Sequence, residues 1–345
     1  MITINKNNVR KILIIKLRGI GDVVLSTIVL KNLKRDFPHS EISYLTEKHS
    51  AQVLKNLPQL RHVYYFEKLT LLQKVKFFLL IRYIKFDLIL DFYSNPTTAL
   101  LTFFSGAIYR AGFPYKGRKY AYNLYGPIER NKYHAAMLHL EFLKRIGLSA
   151  NESELLFLLD KNANSFASNL LSNLIIDKKS LVGICPTGGW ESKKCDPIKL
   201  AEIADNLINK YKINVIILWG PGDESDANEI KHLMKNNAYL APKTTILEMA
   251  AIIAKCKFVI CNDSGPMHIS VALDVPVLAL FGPTDPILQG PFGEKHEWVN
   301  LEELDCIKCN LLKCPKNHEC FLNLPINKIM TKVDLLIKKN EIELD

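Results

Sequence analysis

Residues 261–268, Cys-Asn-Asp-Ser-Gly-Pro-Met-His, have types and spacing that suit phosphate binding. They follow a strand-like apolar run at 257–260 and precede a small-residue helical run at 269–273. The free N–H groups and the positive dipole end of a helix start form an anion site. A second apolar run, 277–280, ends in Phe-Gly-Pro-Thr-Asp-Pro at 281–286. Loops after adjacent parallel strands commonly bind nucleotides, although ordinary strand-to-helix turns use the same residues.

Strand-like and helix-like segments alternate along the chain, which predicts parallel sheets with helices on both faces. Residues 11–16 read as a strand, followed by a Gly-x-Gly-Asp loop at 19–22 and a helix at 23–37. The same order recurs after residue 180. Further strands are predicted at 41–45, 62–66, 86–91, 181–185 and 214–218, and further helices at 50–57, 197–211, 245–254 and 326–339.

Two Rossmann-like units in tandem follow from this alternation. The segment at 160–179 is polar and is predicted to separate a first domain, 1–160, from a second, 176–325. An amphipathic C-terminal helix within 326–345 is predicted to pack back toward the first domain. The first glycine loop lacks the third glycine of a dinucleotide fingerprint and the Gly-Lys-Ser/Thr of a P-loop. Oxidoreductases and P-loop ATPases are therefore poorly supported.

The composition of the 345 residues, 48% apolar and 23% charged, is that of a soluble globular protein. A polar N-terminus without a signal-type apolar run predicts a cytoplasmic protein whose cysteines are mostly reduced or metal-bound. The net charge of +10 is unevenly spread: residues 1–158 carry +13 and the remainder −3. A basic first half predicts an anionic partner, which is a phosphorylated lipid, an acidic glycan or nucleic acid. A charge that serves only solubility is the alternative.

Five motifs in this order resemble the heptosyltransferase family of bacterial glycosyltransferases, glycosyltransferase family 9, over nearly the whole chain. They are Lys-Leu-Arg-Gly-Ile-Gly-Asp-Val-Val-Leu-Ser-Thr at 16–27, Pro-Thr-Gly-Gly at 186–189, Trp-Gly-Pro-Gly-Asp-Glu at 219–224, Asn-Asp-Ser-Gly-Pro-Met-His at 262–268 and Phe-Gly-Pro-Thr-Asp-Pro at 281–286. The resemblance implies an α/β fold of the GT-B type, with two Rossmann-like domains facing each other across a cleft. It also implies inverting transfer of a heptose from ADP-heptose to a phosphorylated lipopolysaccharide core, with no cofactor required for catalysis.

Asp22 matches the family's catalytic Asp, and we expect it to act as the general base that activates the acceptor hydroxyl. The alternative is that Asp22 caps the following helix. Gly21 allows the backbone to approach the donor closely. The departing ADP needs stabilisation of its phosphate charge.

Several residues of the second half are expected to bind the nucleotide sugar. Lys194 matches the family's Lys shortly before a helix-opening Pro, here Pro197, with Lys193 as the alternative because Asp196 stands where the family usually has an aromatic residue. Glu224 matches the acid that contacts the ribose hydroxyls. The other expected members of this site are Thr187, Asp263, Ser264, Gly265, His268, Gly282 and Thr284.

Acceptor contacts are assigned to Arg18, Arg110 and Arg118, the last two in a basic, Tyr-rich segment that could also be a solvated loop. Residues 69–85 are basic and apolar at helical spacing. They could dock peripherally on the inner face of the inner membrane. The pattern is more typical of a core helix with snorkelling lysines, and we favour that interpretation.

Four cysteines lie close together near the C-terminus, with His318 among them. Cys306, Cys309, Cys314 and Cys320 could hold a structural zinc or iron ion. Disulfides or plain thiols are the alternatives.

Other functions are compatible with the same fold. A sugar-nucleotide epimerase needs an acid and base pair, and beyond Asp22 the sequence offers no convincing second carboxylate. A relative with another donor or a protein acceptor remains possible within the family. A non-catalytic binding protein is disfavoured by the retained Asp22 and phosphate loop. Nucleic acid is not expected as a partner, because no module that reads it is recognisable.

Overall fold

A computed structural model describes residues 2–66, 70–174 and 180–344. The chain divides into two compact units, Met1–Leu158 and Leu159–Asp345. Each unit contains a six-stranded sheet in which every described pairing is parallel. The predicted α/β class and the tandem arrangement are therefore confirmed. The predicted start of the second domain, residue 176, lies outside the described residues.

The first unit contains strands β1 to β6 and helices α1 to α5. The strands are β1 (Lys11–Ile15), β2 (Glu41–Thr46), β3 (Leu60–Tyr65), β4 (Leu88–Asp91), β5 (Tyr109–Gly112) and β6 (Leu124–Tyr125), and the helices are α1 (Ile20–Ser26), α2 (Val29–Asp36), α3 (Leu71–Ile84), α4 (Pro96–Phe104) and α5 (Ala135–Arg145). Short 3-10 helices cover Lys6–Asn8, Ser50–Leu54, Lys119–Ala121 and Arg130–Lys132.

The second unit contains strands β7 to β12 and helices α6 to α13. The strands are β7 (Leu181–Cys185), β8 (Asn214–Ile217), β9 (Tyr239–Leu240), β10 (Phe258–Asn262), β11 (Val277–Leu280) and β12 (Glu297–Val299). The helices are α6 (Lys161–Asn173), α7 (Pro197–Tyr211), α8 (Glu224–Leu233), α9 (Ile246–Ile253), α10 (Gly265–Ala272), α11 (Pro286–Gln289), α12 (Glu319–Leu322) and α13 (Ile326–Lys339), and a 3-10 helix covers Glu191–Lys193.

The strand order is the same in both sheets. It is β3-β2-β1-β4-β5-β6 in the first sheet. Read from the corresponding edge, it is β9-β8-β7-β10-β11-β12 in the second. In each sheet, the chain first adds two strands on one side of its first strand and then adds three on the other side. The switch point lies between β1 and β4 in the first sheet and between β7 and β10 in the second. Such switch points, at the carboxyl ends of the strands, are where open α/β sheets bind ligands.

One local prediction was wrong. The helix expected at 23–37 is two helices, because the hydroxyl of Ser26 donates to Val23 O at 2.8 Å and that of Thr27 to Val24 O at 2.6 Å. Such bonds back to helical carbonyls bend or end a helix. The polar segment that was predicted to separate the two domains contains helix α6, which packs on α9 and buries Ala163 and Ala167.

The last helix, α13, packs on α7, β11 and β12 of its own unit. Its buried residues Ile329, Val333 and Leu336 belong to the core of the second unit. Its packing toward the first domain stays a prediction. In the described ranges, no helix is long and apolar enough to cross a membrane.

The packing of α13 predicts that alanine substitutions at two neighbouring leucines will change the free energy of unfolding by different amounts. Leu336 is fully buried and Leu335 is 44% exposed. We expect Leu336→Ala to lower the free energy of unfolding by about 2–5 kcal/mol, because it leaves a cavity in the core. Leu335→Ala should change it by less than about 0.5 kcal/mol. Urea unfolding measures both, and equal effects would contradict this packing.

Candidate functional site

The loop after β1 presents Asp22 at the switch point of the first sheet. Arg18 and Gly19 both have left-handed backbone, with φ of 62° and 71°. Gly19 is the N-cap of α1, so Asp22 lies in the first turn and is not the cap. A Cβ on Gly19 would lie 2.7 Å from Asp22 Oδ2. Glycine is thus required here twice, by the backbone conformation and by the carboxylate packed against it.

A buried lysine holds the Asp22 carboxylate. Lys16 Nζ lies 2.8 Å from Asp22 Oδ1; the Lys16 side chain is 6% exposed and that of Asp22 is 53% exposed. The ion pair orients the carboxylate, while half of its surface stays accessible to a ligand. An accessible, oriented carboxylate has the geometry of a general base. Lys16 begins the first family motif, but the motif alone predicted no role for it.

Two buried titratable groups lie near this loop. Burial, together with the positive charge of Lys16, lowers the pKa of His139 to about 3, so this imidazole is neutral at physiological pH. Burial raises the pKa of Asp91 to about 6, against hydrogen bonds that lower it, the first of them from the Ser94 backbone. Tyr122 O–H also donates to Asp91 Oδ2 at 2.8 Å. Because the side chain of Asp91 is fully buried and bonded, it fixes the end of β4.

In the second unit, Asp263 ties together the loops after β7, β10 and β11. Lys193 Nζ lies 2.6 Å from Asp263 Oδ2, and Thr284 Oγ1 donates to the same oxygen at 2.7 Å. The residue is only 6% exposed. Of the two roles open to Asp263, anchor of the loop or cap of α10, the structure favours the anchor, because Ser264 occupies the N-cap position of α10.

Asn262 adds a second tie at the same switch point. Its amide donates to Pro186 O at 2.8 Å and accepts from Cys195 N at 3.3 Å. The residue is fully buried. It therefore joins the end of β10 to both ends of the loop that carries the two candidate lysines. Asn262 begins the fourth family motif, at 262–268, but the motif alone predicted no role for it.

The two candidate lysines have different partners. Lys194 Nζ lies 2.6 Å from Asp223 Oδ1 and 2.7 Å from Asp226 Oδ2. Burial alone would lower the pKa of Lys194, but the hydrogen bonds that its ammonium donates to these two carboxylates raise it overall, so the ammonium stays charged. Lys193 Nζ instead pairs with Asp263 and lies 4.4 Å from the centre of the Trp190 ring. The structure thus directs Lys194 to the Glu224 loop and Lys193 to the α10 loop.

Other predicted nucleotide-site residues lie at the ends of the same strands. Thr187 Oγ1 is buried and has no hydrogen-bond partner among the described residues. A buried hydroxyl in that state costs about 1–3 kcal/mol, so it is a donor suited to a ligand. Gly265 is the first residue of α10, where the backbone N–H has no partner within the helix. Glu224 is exposed at the first residue of α8, and His268 is buried in α10.

Gly282 is explained by packing. A Cβ at this position would lie 2.6 Å from Cys320 Sγ and 3.0 Å from the Phe321 ring. The C-terminal cysteine segment therefore sits directly against one loop of the site. Ser192 Oγ donates to Leu311 O at 2.5 Å and Lys308 N to Gly282 O at 3.0 Å, so the segment supports both the lysine loop and the Gly282 loop.

The structure does not support the zinc or iron site predicted from the cysteine spacing. Cys306, Cys309, Cys314 and Cys320 line one small cavity of about 40 Å³. However, among the described residues no three His, Cys, Asp or Glu groups are placed to hold a metal ion. Cys309 is exposed while Cys320 is buried, and burial and the nearby thiols raise the pKa of Cys320 to about 12. All eight cysteines are free, which agrees with the plain-thiol alternative.

A basic cavity of about 840 Å³ opens at the carboxyl ends of β1 to β4, beside the Asp22 loop. Arg18, Lys48, His49 and Lys74 line it, and Glu47 is the acid among its lining residues. Glu47 lies 3.6 Å from both the Arg18 and His49 nitrogens. A second cavity of about 490 Å³ is also lined by Lys48, and its other basic lining residues are Lys55, Arg61 and His62. Together the cavities form a positively charged trough that suits an anionic ligand.

The other two predicted acceptor residues are engaged within the fold. Arg110 donates to Ala121 O at 3.0 Å and to Ala107 O at 2.7 Å. Arg118 donates to Ser94 O at 3.0 Å and lies 5.4 Å from the Tyr115 ring centre. Of the three predicted arginines, the structure brings Arg18 to the trough and gives Arg110 and Arg118 structural partners.

Comparison with known proteins agrees with the resemblance. The sequence pattern of glycosyltransferase family 9 (heptosyltransferase) matches residues 75–319. Lipooligosaccharide heptosyltransferase 2 of Campylobacter jejuni is 31% identical over 170 residues, which are 48% of this chain and 53% of that protein, so the match spans about half its length. Its Haemophilus influenzae counterpart is 25% identical over 355 residues, covering 95% of this chain and 99% of that one.

Among solved structures, Escherichia coli ADP-heptose lps heptosyltransferase II has a TM-score of 0.77 at 20% identity, covering 96% of this chain and 99% of that one. This likeness confirms the GT-B type of fold. With a family pattern that covers most of its length, the chain belongs to glycosyltransferase family 9.

Proposed function

We propose that this chain transfers a heptose, with inversion, from ADP-heptose to an anionic lipopolysaccharide-core acceptor. The observation that carries the proposal is the accessible Asp22 carboxylate, which buried Lys16 holds at 2.8 Å beside a basic trough. The relatives named as heptosyltransferases, and one named for ADP-heptose, support the donor and the acceptor class.

Asp22 is the proposed general base. It accepts the proton of the acceptor hydroxyl as that oxygen attacks the anomeric carbon of the heptose. The bond between that carbon and the ADP oxygen breaks, and ADP leaves with the electron pair. A displacement from the opposite face inverts the anomeric configuration. Lys16 is a positioning residue in this scheme, because it acts on Asp22 and does not touch the substrate.

The proposed donor site lies on the loops of the second sheet. The N-terminus of α10, with Ser264 and Gly265, and the hydroxyl of Thr187 would donate to the diphosphate as negative charge builds on it. Lys194 would add a positive charge, and Glu224 would accept from the ribose hydroxyls. The carboxylates that hold Lys194 belong to residues 223 and 226, on either side of Glu224, so one loop would position both ligand groups. No cofactor is needed, because these groups supply the required charge.

The basic trough of the first unit is the proposed acceptor site. Phosphate and carboxylate groups of an inner-core glycan would pair with Arg18, Lys48 and Lys74. A lipid-linked acceptor also implies work at the inner face of the inner membrane. A protein acceptor or a different donor sugar could be bound by the same side chains. Binding and transfer assays distinguish these alternatives.

Replacing Asp22 tests the catalytic assignment. We expect Asp22→Asn to lower kcat by about 10²–10⁴-fold, because an amide cannot accept the proton. The Kd for ADP-heptose should not change. Transfer is measured with radiolabelled ADP-heptose, and Glu41→Gln, at the opposite end of the same sheet, is the control. A near-normal kcat in folded Asp22→Asn would remove this residue from the role.

A pair of adjacent glycines tests the donor site. A Cβ on Gly188 would lie 2.6 Å from Lys194 Cγ, whereas one on Gly189 would meet no atom of the described residues within 4 Å. We expect Gly188→Ala to weaken ADP binding about tenfold, because it displaces a charged hydrogen-bond donor, and Gly189→Ala to leave binding unchanged. Calorimetric titration gives the Kd values.

The same titration, repeated with UDP and GDP, tests the donor class. Selective binding of ADP is expected. A preference for UDP or GDP would overturn the ADP-heptose assignment and favour another donor or an epimerase.

For the glycine pair, equal ADP affinity of the Gly188→Ala and Gly189→Ala variants would remove Lys194 from the site.

Charge reversal in the trough tests the acceptor site. We expect Lys48→Glu to raise the KM for a phosphorylated core acceptor about tenfold or more, because it converts an attraction into a repulsion. Lys144→Glu, an exposed position on α5, changes the net charge equally and should leave KM unchanged. Steady-state kinetics with a deacylated, water-soluble acceptor separates the two. An equal change in both variants would indicate a general charge effect without a local site.

A further inference from the structure

Helix α3 is apolar on two faces, and the fold buries only one of them. Ile81 is fully buried, and Phe77 and Phe78 pack beside it on the core of the first unit. On the opposite face, Leu72 is 66%, Leu79 60% and Tyr83 83% exposed. The favoured prediction of a core helix was therefore wrong for this outward face. A helix that is apolar all round is normally buried, so an exposed apolar face needs a partner.

The exposed surface continues onto helix α4. Phe103 and Phe104 are 43% and 53% exposed. Arg82 of α3 donates to Phe104 O at 3.1 Å, which places the two helices side by side. Tyr120 lies edge-on to Phe103, with ring centres 5.4 Å apart. We call this combined surface, formed by the outward side of α3 and the C-terminal end of α4, the α3–α4 face.

Basic side chains surround the α3–α4 face. Lys76, Arg82 and Lys85 are all exposed, and α3 contains no acidic residue. They belong to a unit whose sequence carries a net charge of +13. Apolar and aromatic side chains bordered by Lys and Arg are the composition of helices that lie in a membrane interface.

We propose that the α3–α4 face docks on an anionic phospholipid bilayer, with Leu72, Leu79 and Tyr83 entering the interface. Lysines and arginines near an anionic leaflet contribute attraction at short range. A second copy of this chain is a poorer occupant, because a two-fold contact would place the same basic groups against each other.

The position of the basic trough agrees with a lipid occupant. Lys74 lies on the same helix and lines the trough. Lys74 lies on the same side of α3 as buried Ile81, so docking through the outward side would hold the trough one helix diameter, ~10 Å, from the docked surface, within reach of the glycan of a lipid-linked acceptor. Only this last step depends on the proposed function. The docking itself is independent of it.

Vesicle flotation of the full chain, without donor or acceptor, tests the proposal. The protein should float with phosphatidylcholine vesicles that contain phosphatidylglycerol, and much less with phosphatidylcholine alone. Leu79→Glu combined with Tyr83→Glu should lower the partition coefficient about tenfold or more, and Lys76→Gln about fivefold. Leu335→Glu, at an exposed position of α13, is the control and should have no effect. Circular dichroism and thermal unfolding confirm that each variant is folded.

Three outcomes would overturn the proposal. They are no binding of the wild type to anionic vesicles, equal binding by all variants, or a dimer that the combined Leu79→Glu and Tyr83→Glu variant dissociates without any vesicle binding. The last would assign the face to a second copy. Because no heptose is transferred in this assay, a failure of the proposed activity would leave its result unchanged, and the two failures are distinguishable.

Discussion

The candidate site of the second unit depends on the bonds that Lys193 and Thr284 make to the buried carboxylate of Asp263. It accepts from Lys193 and Thr284 at 2.6–2.7 Å, so three loops converge on one residue. A buried charge is tolerated only when it is paired and hydrogen-bonded, and removing one partner leaves the other uncompensated. The loops are thus constrained as a set. With the neighbouring Asn262 bonds, this constraint fixes the segment that presents Thr187 and Lys194.

Both units use a lysine and an aspartate at their switch points, but exposure gives the pairs different capabilities. In the first unit the lysine is buried and the Asp22 side chain is 53% exposed. In the second, the Asp263 side chain is only 8% exposed. An enclosed carboxylate with two donors cannot reach a substrate, so it serves as an anchor. An accessible one can exchange a proton with a bound hydroxyl. The same residue pair therefore suits base chemistry in one sheet and loop fixation in the other.

Local sequence predicted the alternation of strands and helices because buried parallel strands are continuous apolar runs, as at 181–185, where every residue is buried. Motif residues after those strands could be placed on loops for the same reason. The partners of those residues could not be predicted. Asp223 and Asn262 contact segments that are distant in the chain, and Lys16 contacts Asp22 because the loop between them folds back. Local sequence patterns carry no information on which carboxylate a lysine will reach. The cysteine spacing likewise indicated a metal, whereas the observed packing uses the segment to support Gly282.

Helix α3 illustrates a further limit of periodicity. Its inner face, with Ile81, and its outer face, with Leu79 and Tyr83, are both apolar, so the sequence is compatible with burial on either side. Only the position of β1 and α4 in the fold decides that Ile81 packs inward, and the outer residues are then left at the surface. Retaining such residues in water has a cost that scales with their apolar area. That cost is offset if a bilayer covers them, and the basic residues around them make an anionic bilayer a better match than a neutral protein surface. The same reasoning connects fold to function, because the helix that exposes this face also contributes Lys74 to the trough.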